Sequence, residues 1–417
     1  MNCNISLFLD TRRSKDNSSY PLKLRVYNKF NKKVKLYSLN IDLTKTEYET
    51  VWLNTSNKNL RGKNKELRLK LQAIETRANK EAEQMTVFDF AKFETKLFRK
   101  SSDKNSVKYH FEKAIAQFLK ESKVGTAESY KYTLKSLGEF SLKEKKCAID
   151  KLTFDAITVN WLNEYERFML SKDKSITTIS IYTRTLRVVF NNAIRESDIS
   201  KDIYPFGTRK EGKYQISKTK KVKKALNSKQ LKTLFDAEVM SEQEQLAKDF
   251  WFFSYACNGI NFKDIALLKY SDIKNNSFTY FRAKTFGKSV EKTPITVYLN
   301  DFSKSVIEKY GSTNKNGYVF TIIQLKEDST EQYKKVKNFT RLVNDYIKRI
   351  AKRYDLPSDI STYWARHSFA SNSIRKGASM EFISEALNHS NLSVTKNYFA
   401  GFEDEAKKGF AKNILDF

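Results

Sequence analysis

The sequence predicts a mainly α-helical protein with small β-sheets, on three observations. Twelve Gly and 4 Pro in 417 residues leave few tight turns to interrupt helices. Between about residues 107 and 203, apolar residues recur at helical spacing throughout. Strand-like alternation is confined to the first 55 or so residues and to two short stretches, 278–284 and 293–298.

At this length the chain should hold two or three domains, each able to bury a core. Hydrophobic residues at 40% and charged residues at 30% give a globular balance rather than a disordered one. The net charge of +29 and a pI near 9.7 call for a polyanionic partner. With no segment apolar enough to span a bilayer, that partner is nucleic acid rather than a membrane. Cys3, Cys147 and Cys257 show neither metal-ligand spacing nor a disulfide framework, as expected in a reducing cytosol. The first residues lack the basic-then-apolar order of a signal peptide. A bacterial, cytoplasmic, nucleoid-associated protein is expected.

In chain order, Ile5, Leu7 and Leu9 form one alternating run, Leu22, Leu24 and Val26 a second, and Val34 with Leu36 a third. The polar stretch 28–33 turns the last two into a hairpin. Lys and Arg stud this sheet: Arg12, Arg13, Lys23, Arg25, Lys32, Lys33 and Lys35. A helix follows from about Lys63, with Leu60, Leu67, Leu71, Ile74 and Ala78 on one stripe. Residues 1–95 are thus expected to form a sheet-plus-helix domain with a basic face, either DNA-binding or merely solvated.

Four helices are expected in residues 105–205. Val107, Phe111, Ala114, Ile115 and Phe118 carry the first, and Tyr130, Leu134 and Leu137 the second, from near Thr126. The third should span 155–170 around Trp161, Tyr165 and Phe168. The fourth starts near Ser175 and runs through Tyr182, Leu186, Val189, Phe190, Ala193 and Ile194. Arg184 and Arg187 on it are candidate phosphate contacts, or part of an ordinary solvated face. Between Thr208 and Lys224, eight residues are Lys or Arg against one Glu. Residues 206–225 therefore read as an extended, solvated linker, with Lys220, Lys221, Lys223 and Lys224 free to lie along a DNA backbone. A last domain, 226–417, should open with Ser228 capping a helix. Core follows from Trp251, Phe252, Phe253, Tyr255, Ile260, Ile265, Leu267 and Leu268.

The chemistry concentrates in residues 361–399. Two of three histidines, His367 and His389, fall here, with Arg366 beside the first and Tyr398 nine residues after the second. Ser361 or Thr362 should cap a helix running to about Arg375 and stopping at Gly377. Ser379 should cap a second helix with Phe382, Ile383, Ala386 and Leu387 on its apolar face, and Ser393 a third. His389 then ends the middle helix, and Tyr398 lies in the last. Arg binds phosphate oxygens bidentately, His moves protons near neutrality, and Tyr is a nucleophile able to form a covalent intermediate. Together on short helices they suit phosphodiester chemistry.

Tyr363-Trp-Ala-Arg366-His367, then Leu387-Asn-His389, then Tyr398, resembles the C-terminal boxes of the tyrosine recombinase (phage integrase) family. Tyr363 stands where most members have His, a variant similar to integrases of conjugative transposons and related bacterial mobile elements. The resemblance implies an arm-type N-terminal domain, a helical core-binding domain and a mostly α catalytic domain with a small sheet. It implies a site-specific recombinase in which Tyr398 attacks a scissile phosphate, Arg366 holds its oxygens, and His389 and Tyr363 complete the cage. It places a catalytic lysine in the small sheet's turn, best matched by Lys284, with Lys288 the alternative. The implied partners are double-stranded DNA at core and arm sites, further copies forming a tetramer on DNA, and a host DNA-bending factor. The recurring Phe402, Ala406, Phe410, Ile414 and Phe417 would be a tail docking on a neighbouring copy or on its own domain. A monomeric type IB topoisomerase, or a catalytically decayed DNA-binding or excision-directing protein, are the alternatives.

One family residue is missing. The first active-site arginine follows a turn at a helix start, matched here by Cys257-Asn-Gly259-Ile260-Asn261, so Asn261 stands in its place. Asn donates hydrogen bonds but brings no charge. Lys263 should face elsewhere. Arg282, expected on one strand face with Lys284, is the candidate replacement.

Overall fold

The structure is a computed structural model that describes residues 3–12, 14, 18–54, 60–98, 101–217, 224–287, 292–388 and 391–396. The chain forms two compact units, residues 1–106 and 107–417.

In the first unit, β1 (Cys3–Leu9), β2 (Tyr20–Asn28) and β3 (Lys33–Leu43) form an antiparallel sheet with β2 central. Asn28 pairs with Lys33, which closes the expected hairpin. Leu7, Leu9, Leu22, Leu24 and Val26 point into the core as alternation requires. The third run is different: Val34 is exposed, and Tyr37 and Leu43 are the buried side chains of β3. α1 (Lys45–Tyr48) leads into a short π-turn, followed by α2 (Gly62–Glu83) and α3 (Phe90–Leu97). Leu71 and Ala78 of α2 and Phe93 of α3 pack beneath the sheet.

The second unit opens with the four expected helices: α4 (Val107–Lys120), α5 (Val124–Lys145), α6 (Val159–Ser171) and α7 (Ile176–Arg195). Ser175 caps α7, accepting from Thr178 N at 3.2 Å. α6 starts four residues later than its periodicity suggested. Phe154 and Ile157 are buried in a turn just before it, and Thr158 provides the cap. His110, the third histidine, is structural: its Nε2 lies 3.5 Å from Asp198 Oδ2 and its ring sits edge-on to Phe154.

The segment after the bundle is not an extended, solvated linker as far as residue 217. Phe206 and Tyr214 are buried in the bundle core, and Gly207 N donates to Tyr214 O at 3.1 Å. The Tyr214 hydroxyl donates to Glu166, and Ser180 to the Ser217 carbonyl. Two aromatic rings buried within nine residues override the polar composition around them. Lys220, Lys221 and Lys223 lie outside the described residues, and Lys224 pairs with Asp359 on the surface.

Then come α8 (Ser228–Asp236), α9 (Glu242–Ala256), α10 (Phe262–Leu267), β4 (Ile273–Lys274), β5 (Ser277–Tyr280), α11 (Ala283–Phe286), β6 (Ile295–Tyr298), α12 (Asp301–Tyr310), α13 (Ser329–Arg353), α14 (Thr362–Arg375), α15 (Met380–Ala386) and α16 (Leu392–Lys396). Asn227, not Ser228, caps α8, through a reciprocal pair with Gln230. β5 pairs antiparallel with both β4 and β6, so the expected hairpin is present. α9 runs through the middle, its Phe250, Phe253 and Trp251 buried between α13, α14 and the sheet side. Asn391, rather than Ser393, accepts at the start of α16. Phe382 is exposed while Ile383, Ala386 and Leu387 are buried, because so short a helix buries one face and neighbours diverge by about 100°.

Candidate functional site

The site is built on α14, which is tied down along its length. At its start, Asn344 on α13 accepts from Thr362 N at 2.7 Å, and Trp251 Nε1 on α9 donates to Ser361 O at 3.0 Å. Further along, Ser368 Oγ accepts from Leu226 N at 2.9 Å, and Asn372 Nδ2 donates to Leu226 O at 2.8 Å. A helix so held presents its one buried arginine in a fixed place. Arg366 is 1% exposed, with Nη1 donating to Gly259 O at 2.9 Å and Nη2 to Leu387 O at the end of α15.

Gly259 permits this approach. Its φ is +66°, and a Cβ there would meet Arg366 Cα at 2.8 Å, so neither the backbone angle nor the space admits a side chain. The turn it forms delivers Asn261, the N-cap residue of α10.

Arg282 enters the same place from another direction. It is 8% exposed, and its Nη1 donates to Leu387 O at 3.4 Å, the carbonyl that Arg366 also meets. Its Nε has no hydrogen-bond partner among the described residues. The expected reason for its direction was wrong. The strand ends at Tyr280, and Arg282 and Lys284 do not share a strand face: Arg282 caps the single turn α11 and points in, while Lys284 on that turn is exposed. The turn is fixed by Asp264, whose Oδ1 accepts from Ala283 N at 2.9 Å. Asn261 Nδ2 reaches the other oxygen of Asp264 at 3.5 Å. Lys263 is exposed, as its position two residues along α10 requires.

Burial pushes the Asp264 carboxyl above its ordinary range, opposed by the Ala283 amide and by the charges of Arg282 and Arg366. Burial likewise raises the Tyr280 hydroxyl, with the Asp264 charge adding to it. Sequence reasoning passed over Asp264 and Gly259 as members of the site. The signals were an acid between the apolar Phe262 and Ile265 at the start of a short helix, and a glycine in a tight turn.

The other expected residues fall as follows. Tyr363 is 44% exposed and stands edge-on to the His367 ring at 4.5 Å between centroids. His389 and Tyr398 lie outside the described residues, as do Lys288, Arg13 and the tail 402–417. Leu387, the carbonyl on which both arginines converge, is two residues before His389. Arg184 and Arg187 are exposed on α7 three residues apart, on one face. Arg12 is bound to Asp10, which also holds Lys23 at 2.6 Å, so part of the expected basic face is neutralised within the unit. No helix among the described residues is long and apolar enough to cross a membrane.

Two family models match this chain: the phage integrase SAM-like domain over residues 106–216 and the phage integrase family over residues 224–405. The chain belongs to the phage integrase family of tyrosine recombinases. It is thus an enzyme of site-specific DNA recombination, cutting and rejoining strands through a tyrosine, and its partner is DNA. The tyrosine recombinase XerC of Halalkalibacterium halodurans is 21% identical over 248 residues, 59% of this recombinase and 78% of that protein. A tyrosine recombinase of Thermosipho africanus is 38% identical over 53 residues, 13% of this chain and 19% of that one. Among solved structures, the Tn1549 transposon integrase in complex with a circular intermediate DNA is similar with a TM-score of 0.51 at 15% identity, over 74% of this recombinase and 99% of that chain. That likeness is one of fold, and it agrees with the mainly helical architecture expected from the sequence.

Proposed function

We propose that this recombinase cuts through Tyr398, with Arg366 and Arg282 as the two cations on the scissile phosphate. The observation that carries this is the buried arginine pair: two guanidinium groups from separate elements converge on one carbonyl, beside a helix start that holds Asn where a cation is expected. A phosphate gaining charge in the transition state favours two such donors, fixed in advance and shielded from water. Replacing the Leu387 carbonyl contacts with phosphate oxygens exchanges hydrogen bonds to a neutral acceptor for hydrogen bonds to a charged one.

In this scheme Tyr398 attacks phosphorus, a 3′-phosphotyrosyl bond forms, and the 5′-oxygen leaves. Lys284, exposed at the rim on α11, protonates that oxygen, and His389 and Tyr363 complete the hydrogen-bond cage. The bond energy is kept in the tyrosyl ester, so a free 5′-hydroxyl from a second duplex reverses the step without ATP or metal. Residues 1–95 bind arm sites, 105–205 and 226–417 enclose the core site, and the basic stretch within 206–225, Lys220, Lys221, Lys223 and Lys224, joins them along the duplex. Arg184, Arg187, Arg12 and Arg13 add phosphate contacts. Four copies assemble on two duplexes in the bacterial cytoplasm, with room for a host DNA-bending factor, on behalf of a mobile element similar to conjugative transposons.

The test is a nicked substrate that traps the covalent protein–DNA adduct. Arg282→Ala should abolish the adduct while Asn261→Ala keeps most of it, and Asn261→Arg should restore the Arg282→Ala enzyme. Survival of cleavage without Arg282 but not without Asn261 would overturn the assignment of the second cation.

A further inference from the structure

A pocket of about 440 Å³ lies directly behind the turn that carries Lys284, lined by Asp264, Leu267, Asp272, Thr279, Phe281 and Phe286 among others. Its two phenylalanines are unusual. Phe281 is 47% exposed and Phe286 43%, their ring centroids 5.4 Å apart at 61°. They flank the buried Arg282, and the inward course of that arginine leaves its neighbour Phe281 facing out. Lys292 Nζ sits 4.4 Å over the Phe286 ring, and Lys284 is exposed on the same turn.

We propose that this pocket receives one nucleobase, unstacked from the DNA strand next to the cut. The inference rests on the arginine pair being the phosphate grip of the proposed site. Phe281 is the chain neighbour of Arg282 and Phe286 closes the same turn, so a strand gripped at that arginine has both rings within the reach of one nucleotide. The lining suits a base and not a phosphate. Aromatic faces stack on any base, while Asp272 in the pocket wall repels phosphate and offers an acceptor to a ring or exocyclic N–H group. The phosphates are left to Lys284 and Lys292 on the rim. A second copy of this chain, itself carrying a net charge of +29, would bring like charge to those lysines.

The experiment uses the full chain and the nicked trapping substrate, with each of three nucleotides on either side of the cut made abasic in turn. At one position, base removal should slow adduct formation roughly tenfold in the unmodified protein, within the range of one lost stacking contact. In the Phe281→Leu/Phe286→Leu protein the same abasic substrate should slow it less than twofold further. Such coupling requires that base and rings meet, and a merely structural role for the rings does not produce it. If the double variant does not fold, Phe286→Leu alone carries the test. Independent, multiplying effects at all six positions overturn the inference, as does a Phe variant that loses assembly between copies while showing no coupling to any base. Failure of the unmodified protein to form any adduct overturns the proposed site as well, so the two failures are distinguishable.

Discussion

The helical bundle and the arginine site lie in one compact unit and bury polar groups in opposite ways. In the bundle, the buried threonine hydroxyls satisfy the helix they sit on: Thr133 donates to Ser129 O, Thr183 to Ile179 O and Thr185 to Ile181 O, all within 2.9 Å. Such bonds are local and neutral, and around them the core is closed by rings such as Phe154, Phe190 and Phe206. In the site, two guanidinium groups and a carboxylate are buried together, drawn from α10, the start of α11 and α14, with Asp264 and Arg366 over 100 residues apart. Their donors end on carbonyls, and Arg282 Nε is left over. Burying charge in this way costs stability unless every group is paired. The bundle closes its polar groups within itself, whereas the site keeps a buried guanidinium donor unused, as the proposed grip on a phosphate requires.

This contrast can be broken by substitution. The largest effect is expected from Tyr398→Phe, which should eliminate the covalent adduct while leaving duplex binding nearly unchanged. An adduct from the Phe variant would move the nucleophile elsewhere. Arg366→Ala should slow cleavage by about 10²–10³-fold, the usual loss for one transition-state donor, with a much smaller change in DNA affinity. A loss under about tenfold would mean that the phosphate is held by other groups.

The bundle should respond in the reverse manner. Phe190→Ala removes a ring that is 0% exposed and packed against Phe154 at 4.7 Å. It should destabilise the protein by about 3–5 kcal/mol, read from the denaturation midpoint, while the folded fraction retains its cleavage rate. A change in rate without a change in stability would erase the distinction. On the bundle surface, the double change Arg184→Ala and Arg187→Ala should reduce the slope of log affinity against log salt by about 1.8, two phosphates at roughly 0.9 each. An unchanged slope would make these residues a solvated face.

The smallest expected effect is one of pH. The Arg353 guanidinium, donating to Glu244 at 2.6 and 2.8 Å, holds that carboxyl below the ordinary glutamate range. A depressed native pKa stabilises the fold above the unfolded value, about 4.3, and that stability is lost as pH falls through the lower native value. Glu244→Gln should therefore lower the melting temperature at neutral pH, with the difference from the unmodified protein shrinking below about pH 4. A constant difference at all pH values would show that the ion pair is not its source.

Much was legible in the chain because it rests on local physics. Helix periodicity placed all four bundle helices, and Ser361, Ser379 and Gly377 marked where α14 and α15 begin and end. The spacing from Tyr363 through Arg366 and Leu387 to Tyr398 named the family, since residue types at fixed separations survive any uncertainty about packing. Where the sequence misled, a distant partner had decided the outcome. Residues 278–284 alternate like a strand, but Asp264, 19 residues from Ala283, takes that backbone amide and bends the chain into a turn. Arg282 was expected on a strand face shared with Lys284, yet Lys284 is exposed; Arg282 is buried because the turn aims it at Leu387, 105 residues away. The basic stretch after the bundle reads as solvated, yet Phe206 and Tyr214 sink into the helices before it, where burial outweighs the charges nearby. Local spacing sets which residues can act together on one element. Only the folded chain decides which way a side chain turns when its partner is a hundred residues off, because that choice is made by packing and by the pairing of buried backbone groups.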